Sequence, residues 1–154
     1  MIKHTVLIGV GATLLAAGSF AAAEEHVIQA VITQWRPMVT FAKPGDTVRF
    51  TGMAGHDTQT IDGMIPQDAT PWKAKLGEES FVATVDKEGV WIFKCNPHMT
   101  TGMVGVVVVG DTRPPANLAA LEAALPEVKV GKNMVARAIK KLHMALESGQ
   151  SPEQ

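Results

Sequence analysis

The chain has 154 residues, of which 46% are hydrophobic and 19% charged, and its formal net charge at pH 7 is −1. This composition is typical of a globular protein of one domain and excludes an intrinsically disordered chain. The near-neutral charge also argues against a nucleic-acid-binding protein, which usually needs a basic face.

The first predicted element is a secretory signal peptide over residues 1–23. Lys3 precedes an apolar run over residues 5–20, and the three alanines at 21–23 provide a small-residue cleavage site. A permanent membrane anchor is the alternative, but the apolar run is short for a spanning helix and is interrupted by glycines. We therefore expect export, cleavage near Ala23, and no membrane association after cleavage.

Residues 24–111 are predicted to form an all-β sandwich, because short β-rich runs alternate with turn signals such as Pro44-Gly45-Asp46. Two of the runs alternate apolar and polar side chains, as strands with one buried face do. The last run is continuously apolar and is expected to be buried on both faces. The predicted strands are residues 26–32, 38–41, 47–51, 56–61, 80–85, 90–95 and 103–109, and residues 62–77 are predicted to form a loop.

Residues 112–154 are predicted to form a helical extension that packs on the sandwich. Asn117 is expected to cap a first helix that extends to Leu125 and ends at Pro126. A second helix is predicted from about residue 132 to 148, and its apolar side chains recur at steps of three and four residues. That apolar stripe consists of Val135, Ala138, Ile139, Leu142 and Leu146.

The loop between the last two predicted strands carries Cys95, His98 and Met103 in the spacing C-x2-H-x4-M. His56 begins an earlier strand, and strand ends can meet at one pole of a sandwich. Two imidazoles, a thiolate and a thioether are the ligands of electron-transfer copper sites, because sulfur is a soft ligand. Four protein ligands leave no open position for a substrate, so we expect no enzymatic activity. One copper ion held by His56, Cys95, His98 and Met103 is the prediction.

Each of these residues also has a structural interpretation: Cys95 could be inert and buried, Met103 a core residue, and His56 an ordinary histidine. A copper carrier or storage protein using the same ligands is the alternative function. A structural module without metal would show no intense visible absorption after copper is added. The remaining histidines after the predicted signal peptide, His26 and His143, are expected to be solvated rather than ligands.

The segments around the four candidate ligands resemble the blue-copper cupredoxins, and most closely the pseudoazurins. The similar region runs from Pro37 to the C terminus. Its matching segments are Pro44-Gly45-Asp46-Thr47-Val48, Gly63-Met64-Ile65-Pro66, Gly89-Val90-Trp91, Lys94-Cys95, Pro97-His98 and Gly102-Met103-Val104-Gly105.

This resemblance implies a Greek-key cupredoxin β-sandwich with two C-terminal α-helices and one type 1 copper ion at the four candidate ligands. It also implies a periplasmic carrier of one electron, and we expect a monomer. The redox partners it implies are a c-type cytochrome, a copper nitrite reductase or a periplasmic dehydrogenase.

Two residues next to the ligands depart from the family pattern. Asp57 stands where the family usually has Asn, and Asn96 stands where it usually has Thr. We expect the Asp57 carboxylate to accept a hydrogen bond from the Asn96 amide. A carboxylate near copper is also expected to lower the reduction potential, because it favours the more positive Cu(II) state.

The resemblance further implies an apolar docking patch around an exposed edge of His98. The candidates for this patch are Met38, Met64, Pro97 and Met99, although Met38 and Met64 could instead fill gaps in the core. Lysines around such a patch would steer acidic partners. The candidates are Lys43, Lys73, Lys75 and Lys94.

Overall fold

The computed structural model describes residues 22–149, so the predicted signal peptide lies outside the described residues except for its last two alanines. Within that part the strands are β1 (Glu25–Val31), β2 (Gln34–Arg36), β3 (Val39–Ala42), β4 (Asp46–Thr51), β5 (Gln59–Thr60), β6 (Phe81–Val85), β7 (Gly89–Lys94) and β8 (Val104–Val109). The helices are α1 (Leu118–Ala124) and α2 (Lys132–Ser148), and single 3-10 turns cover Met99–Thr101 and Leu125–Glu127. None of the described helices is long and apolar enough to cross a membrane.

The strands form two four-stranded sheets, with the orders β2-β1-β4-β6 and β3-β8-β7-β5. Each sheet contains one parallel pair, β1 with β4 and β3 with β8, and its other pairs are antiparallel. Side chains from both sheets share one buried cluster, so the sheets pack face to face. The predicted β-sandwich with two C-terminal helices is therefore confirmed.

Burial along the strands follows the predicted patterns. In β4 every second residue is buried, including Val48 and Phe50, and β6 buries Ala83 and Val85. All six residues of β8 are buried. Its alternate valines enter two different clusters, one between the sheets and one beneath the helices, which explains the absence of a polar face.

Helix α2 covers the outer face of the second sheet, where it contacts β8 and β3. Its buried residues are Val135, Ala138, Ile139, Leu142 and Ala145, while Leu146 is half-buried. The predicted apolar stripe is thus confirmed, with Leu146 less buried than its other residues. Burial of this stripe is the main reason for the helix to form here, since packing supplies most helical stability in proteins.

Asn117 does not cap α1, although it precedes the helix as predicted. Its amide instead donates to the carbonyl of Val90 (2.9 Å), and its side-chain oxygen accepts from the Val90 N–H (2.8 Å). Strand β5 is too short to reach Val90, because it pairs only with Phe93 and Lys94. Two hydrogen bonds to an otherwise open strand edge outweigh a single cap bond, so the predicted cap is wrong.

The predicted strand at residues 56–61 shrinks to Gln59–Thr60, and the short strand β2 was not predicted. His56 therefore lies in the connection between β4 and β5, where its N–H donates to the carbonyl of Met53 (2.9 Å). The predicted loop at residues 62–77 contains no strand or helix. Two N–H donors from its end, Ala74 and Gly77, bond to the carbonyls of Thr58 and His56 at 2.8 Å and hold this connection in place.

Phe93 occupies the centre of the core between the sheets. Its ring centroid lies 5.1 Å from that of Phe50, 5.6 Å from Trp35 and 5.7 Å from Trp72. Its pairing partner in the neighbouring strand β8 is Gly105, where an added Cβ would lie 2.3 Å from the phenylalanine ring. Glycine is required there because the ring occupies the space of a side chain.

Candidate metal centre

Three of the four predicted ligands converge at one pole of the sandwich. Cys95 directly follows β7, His98 lies in the turn after it, and His56 lies in the connection from β4 to β5. Their candidate ligand atoms all lie within 4.8 Å of one another. Pairing of β5 with β7 thus brings together His56 and Cys95, which are 39 positions apart in the sequence.

The distances fit a common metal ion. The Nδ1 atoms of His56 and His98 lie 3.6 and 3.5 Å from the Sγ atom of Cys95. Metal bonds of about 2.0 Å to nitrogen and 2.3 Å to sulfur at tetrahedral or trigonal angles place such atoms about 3.5–3.7 Å apart. One ion at this position would contact all three atoms at these separations.

Met103 closes the same loop from its far end. Its carbonyl accepts from the N–H of Cys95 (3.0 Å), and its own N–H donates to the carbonyl of His98 (3.1 Å). The side chain is fully buried. Gly102 precedes it at a φ of 103°, a conformation that glycine adopts without steric cost and that reverses the chain into β8. The backbone of Met103 is therefore fixed directly against two candidate ligands.

Asp57 and Asn96 tie the two ligand segments together. The Asn96 amide donates to Asp57 Oδ2 at 2.9 Å, as predicted. The Asn96 backbone N–H also donates to Asp57 Oδ1 at 2.6 Å, and its amide reaches Gln59 Oε1 at 3.0 Å. These two further bonds were not predicted, because they depend on the backbone path and on the β5–β7 register.

Electrostatics around the sulfur favour a bound cation. Burial raises the pKa of the Cys95 thiol, while the backbone N–H groups of Asp57 and His98 donate hydrogen bonds to the cysteine that act in the opposite direction. Burial also lowers the pKa of His56, and the neighbouring His98 imidazole adds to that effect, while the Asp57 carboxylate opposes it. A neutral imidazole is the form that binds metal, and a buried thiolate is stabilised by a positive ion.

Exposure differs among the candidate ligands. Cys95 and Met103 are fully buried and His56 is 7% exposed, whereas His98 is half-buried. The imidazole of His98 is therefore the shortest connection between the centre and the protein surface.

The helical extension packs against the loop that carries Cys95, His98 and Met103. The sequence did not predict this contact. Met99 is 3% exposed and packs against Gly131 at the start of α2, where an added Cβ would lie 2.7 Å from the Met99 side chain. Gly102 faces Met134 and Arg137 of the same helix. Met99 is therefore a packing residue between the loop and α2.

Three of the four residues suggested for the apolar docking patch are buried, which confirms the alternative that Met38 and Met64 fill gaps in the core. Met38 and Met64 are 4% and 1% exposed and belong, with Met99, to the buried cluster beneath the helices. The unbranched methionine side chain fills irregular gaps there. Of the four candidates only Pro97 is exposed.

The predicted lysines separate into two groups. Lys43 follows β3, whose end pairs with the end of β8, so it lies at the pole opposite the centre. Lys73 and Lys94 both lie beside Gln59, near the centre, and Lys75 lies in the adjoining loop. The prediction is therefore wrong for Lys43.

Neither His26 nor His143 joins the group around Cys95. His143 is about half exposed and lies 2.6 Å from Glu122, in agreement with its predicted position at the surface. His26 is only 19% exposed, because its Nε2 atom lies 2.9 Å from the buried carboxylate of Asp46. Glu24, His26 and Asp46 form a second cluster of potential ligand atoms at the opposite pole.

The centre offers two imidazole nitrogens and a cysteine sulfur at metal-bonding separations, and a buried methionine follows Cys95 and His98 in their loop. This set of donor atoms suits copper. Residues 25–110 match the family described as copper binding proteins, plastocyanin/azurin family. The fold and the site therefore define a blue-copper protein of the cupredoxin class.

Sequence and structural relatives show which group within this class the chain belongs to. Pseudoazurin from Paracoccus pantotrophus is 34% identical over 140 residues, which are 87% of this chain and 94% of the relative. Pseudoazurin from Methylorubrum extorquens is 47% identical over 78 residues, which are 50% of this chain and only 52% of that relative. A solved pseudoazurin structure from Sinorhizobium has a TM-score of 0.68 at 35% identity and covers 82% of this chain and 98% of its own. The chain belongs to the pseudoazurins within the plastocyanin/azurin family of copper-binding proteins.

Membership of this family defines the general function. The chain is a blue-copper electron-transfer protein. Pseudoazurins are electron-transfer cupredoxins rather than enzymes, and the cofactor is a type 1 copper ion.

Proposed function

We propose that the protein is exported to the periplasm and carries one electron at a time between redox proteins, using copper ligated by His56, Cys95, His98 and Met103. The observation that carries this proposal is the pair of distances from Cys95 Sγ to two imidazole Nδ1 atoms, 3.5 and 3.6 Å, in a group whose ligand atoms all lie within 4.8 Å of one another. A bound copper ion would supply the Cu(I)/Cu(II) couple.

The protein's own residues limit how far the site can change between the two oxidation states. The three segments that hold the proposed ligands are joined by the bonds of Asp57 to Asn96 and of Met103 to Cys95 and His98. A backbone tied in this way resists ligand movement. Small reorganisation favours electron transfer over exchange of the ion.

The electron would leave through the imidazole of His98, because it is the proposed ligand with the largest exposed fraction. Pro97 extends the surface beside it. The proposed partners are a c-type cytochrome, a copper nitrite reductase or a periplasmic dehydrogenase, bound briefly through a small interface as redox encounters are. Lys73, Lys75 and Lys94 would favour an acidic partner surface.

Copper titration of the purified mature protein tests this proposal. We expect one equivalent of copper to produce an intense visible absorption that disappears on reduction and returns on oxidation over many cycles, with no copper released to a chelator. Copper that passes readily to a chelator or an acceptor protein, without reversible cycling, would instead favour the carrier or storage function.

Asp57→Asn tests the electrostatic role of the carboxylate next to the site. Its oxygens accept two hydrogen bonds from Asn96, and its negative charge would favour the oxidised ion. The surrounding protein and solvent weaken the interaction between such a charge and a nearby ion, and they act as a medium with an effective dielectric constant of about 20. We therefore expect the reduction potential to rise by several tens of millivolts.

The potential of the variant is measured by voltammetry at a fixed pH. Asp62→Asn, on an exposed loop residue, is the matched control for loss of one carboxylate and is expected to change the potential much less. Equal potentials for Asp57→Asn and the unmodified protein would show that the charge of Asp57 does not set the potential.

A further inference from the structure

Asp46 begins β4 at the pole opposite the metal centre, and its side chain is 5% exposed. Oδ1 accepts from the backbone N–H of Glu24 (2.8 Å), while Oδ2 accepts from that of Lys43 (2.8 Å) and faces Nε2 of His26 (2.9 Å). Burial alone would raise the pKa of Asp46, but these partners lower it to about 2. The carboxylate is therefore ionised at neutral pH although its side chain is buried.

Among the residues that the structure describes, this buried charge has no permanently charged ion-pair partner. Within residues 22–149 its ion-pair partner is His26, which is charged only when protonated. Buried carboxylates are normally paired, because an unpaired ion loses hydration without compensation. The groups that line the surrounding cavity include Glu24, Lys43, Asp111 and Arg113.

The nitrogen of Glu24 is the atom that signal-peptide removal would change. Residue 24 is held in place on the other side by a hydrogen bond from the Thr47 N–H to its carbonyl (2.9 Å). Ala22 and Ala23, which precede it, are exposed. Hydrolysis of the Ala23–Glu24 bond by a signal peptidase consumes one water molecule, releases Ala23 as a carboxylate, and leaves the Glu24 nitrogen as an amine that takes up the proton.

We propose that removal of the signal peptide creates an α-ammonium group at Glu24 which forms an ion pair with the buried carboxylate of Asp46 and locks β1 to β4. This inference rests on the export and cleavage included in the proposed function. The amide N–H of the precursor already lies at hydrogen-bonding distance, so cleavage adds a full charge without movement of the chain. The mature fold is thereby stabilised relative to the precursor.

The test uses the exported, copper-loaded protein after mass spectrometry has established that it begins at Glu24. The α-amino pKa is obtained from the pH dependence of acetylation of the N-terminal peptide. An ordinary α-amino group has a pKa of about 7.7–8.0, and we expect a value at least one unit higher, which slows acetylation at neutral pH about tenfold. Asp46→Asn should restore the ordinary value. Glu25→Gln, which removes an exposed neighbouring carboxylate, should not.

A second comparison does not require a change at Asp46. A chain that retains Ala23 as its first residue should unfold about 2–5 °C below the chain that begins at Glu24, since its ammonium group is displaced from the carboxylate.

An ordinary α-amino pKa in the Glu24 chain would overturn the inference. Zinc or nickel that raises the unfolding temperature only when Asp46 is present would overturn it in favour of a cation site. A mature chain that begins elsewhere would also overturn it. The visible absorption of copper reports separately on the proposed function.

Discussion

Cys95→Ser is expected to abolish the intense visible absorption of the copper-loaded protein completely. That absorption arises from charge transfer between thiolate and copper, and a serine hydroxyl cannot supply it. The sulfur also lies 3.5 and 3.6 Å from the Nδ1 atoms of the two imidazoles, so its loss removes the donor atom that both histidines approach. We expect copper binding to weaken by more than the roughly 10–100-fold effect of losing an outer-shell hydrogen bond.

Absorption spectra and a copper titration measure this effect, and thermal unfolding of the copper-free protein provides the reference. Serine is close in size to cysteine, so the copper-free fold should persist. Met99→Leu is a matched control in the same loop, because Met99 packs against α2 instead of facing the centre. A Cys95→Ser protein that keeps the absorption would exclude the sulfur as a ligand.

Phe93→Ala is expected to lower the free energy of unfolding by about 3–5 kcal/mol, the usual cost of removing a buried phenylalanine ring. Phe93 contacts three other aromatic rings, and Gly105 leaves no side chain that could fill the resulting cavity. Because single domains are stable by only about 5–15 kcal/mol, the variant should be close to the limit of folding.

Denaturant unfolding of the copper-free protein measures the loss without the contribution of metal binding. Phe81→Ala is the matched control, since Phe81 is only partly buried at the start of β6. Its expected cost is clearly smaller. A loss below about 1 kcal/mol for Phe93→Ala would show that the core rearranges to fill the cavity.

Local sequence patterns predicted much of the fold, because apolar and polar residues recur along each strand and helix with the period of that element. The alternation in β4 and β6 and the stripe of α2 each reflect one buried face, which the spacing of apolar residues reveals directly. The valines of β8 could be assigned to a doubly buried strand for the same reason.

The candidate site was predictable because Cys95, His98 and Met103 lie within nine residues and carry an uncommon combination of donor atoms. What could not be predicted depends on contacts between distant segments. Asn117 bonds to a strand edge left open by the shortness of β5, and neither fact has a local signal. Met99 resembles a surface residue until α2 is placed over it.

The connection that carries His56 runs from β4 in one sheet to β5 in the other, whereas Cys95 follows β7 in the second sheet. Gln59 and Thr60 of β5 pair with Lys94 and Phe93 of β7, so the sulfur and this imidazole approach each other when these two strands pair. The colour of the copper-loaded protein is consequently an indicator of this long-range strand pairing: a chain in which β5 and β7 have not paired would remain colourless, and bleaching during denaturation would mark their separation.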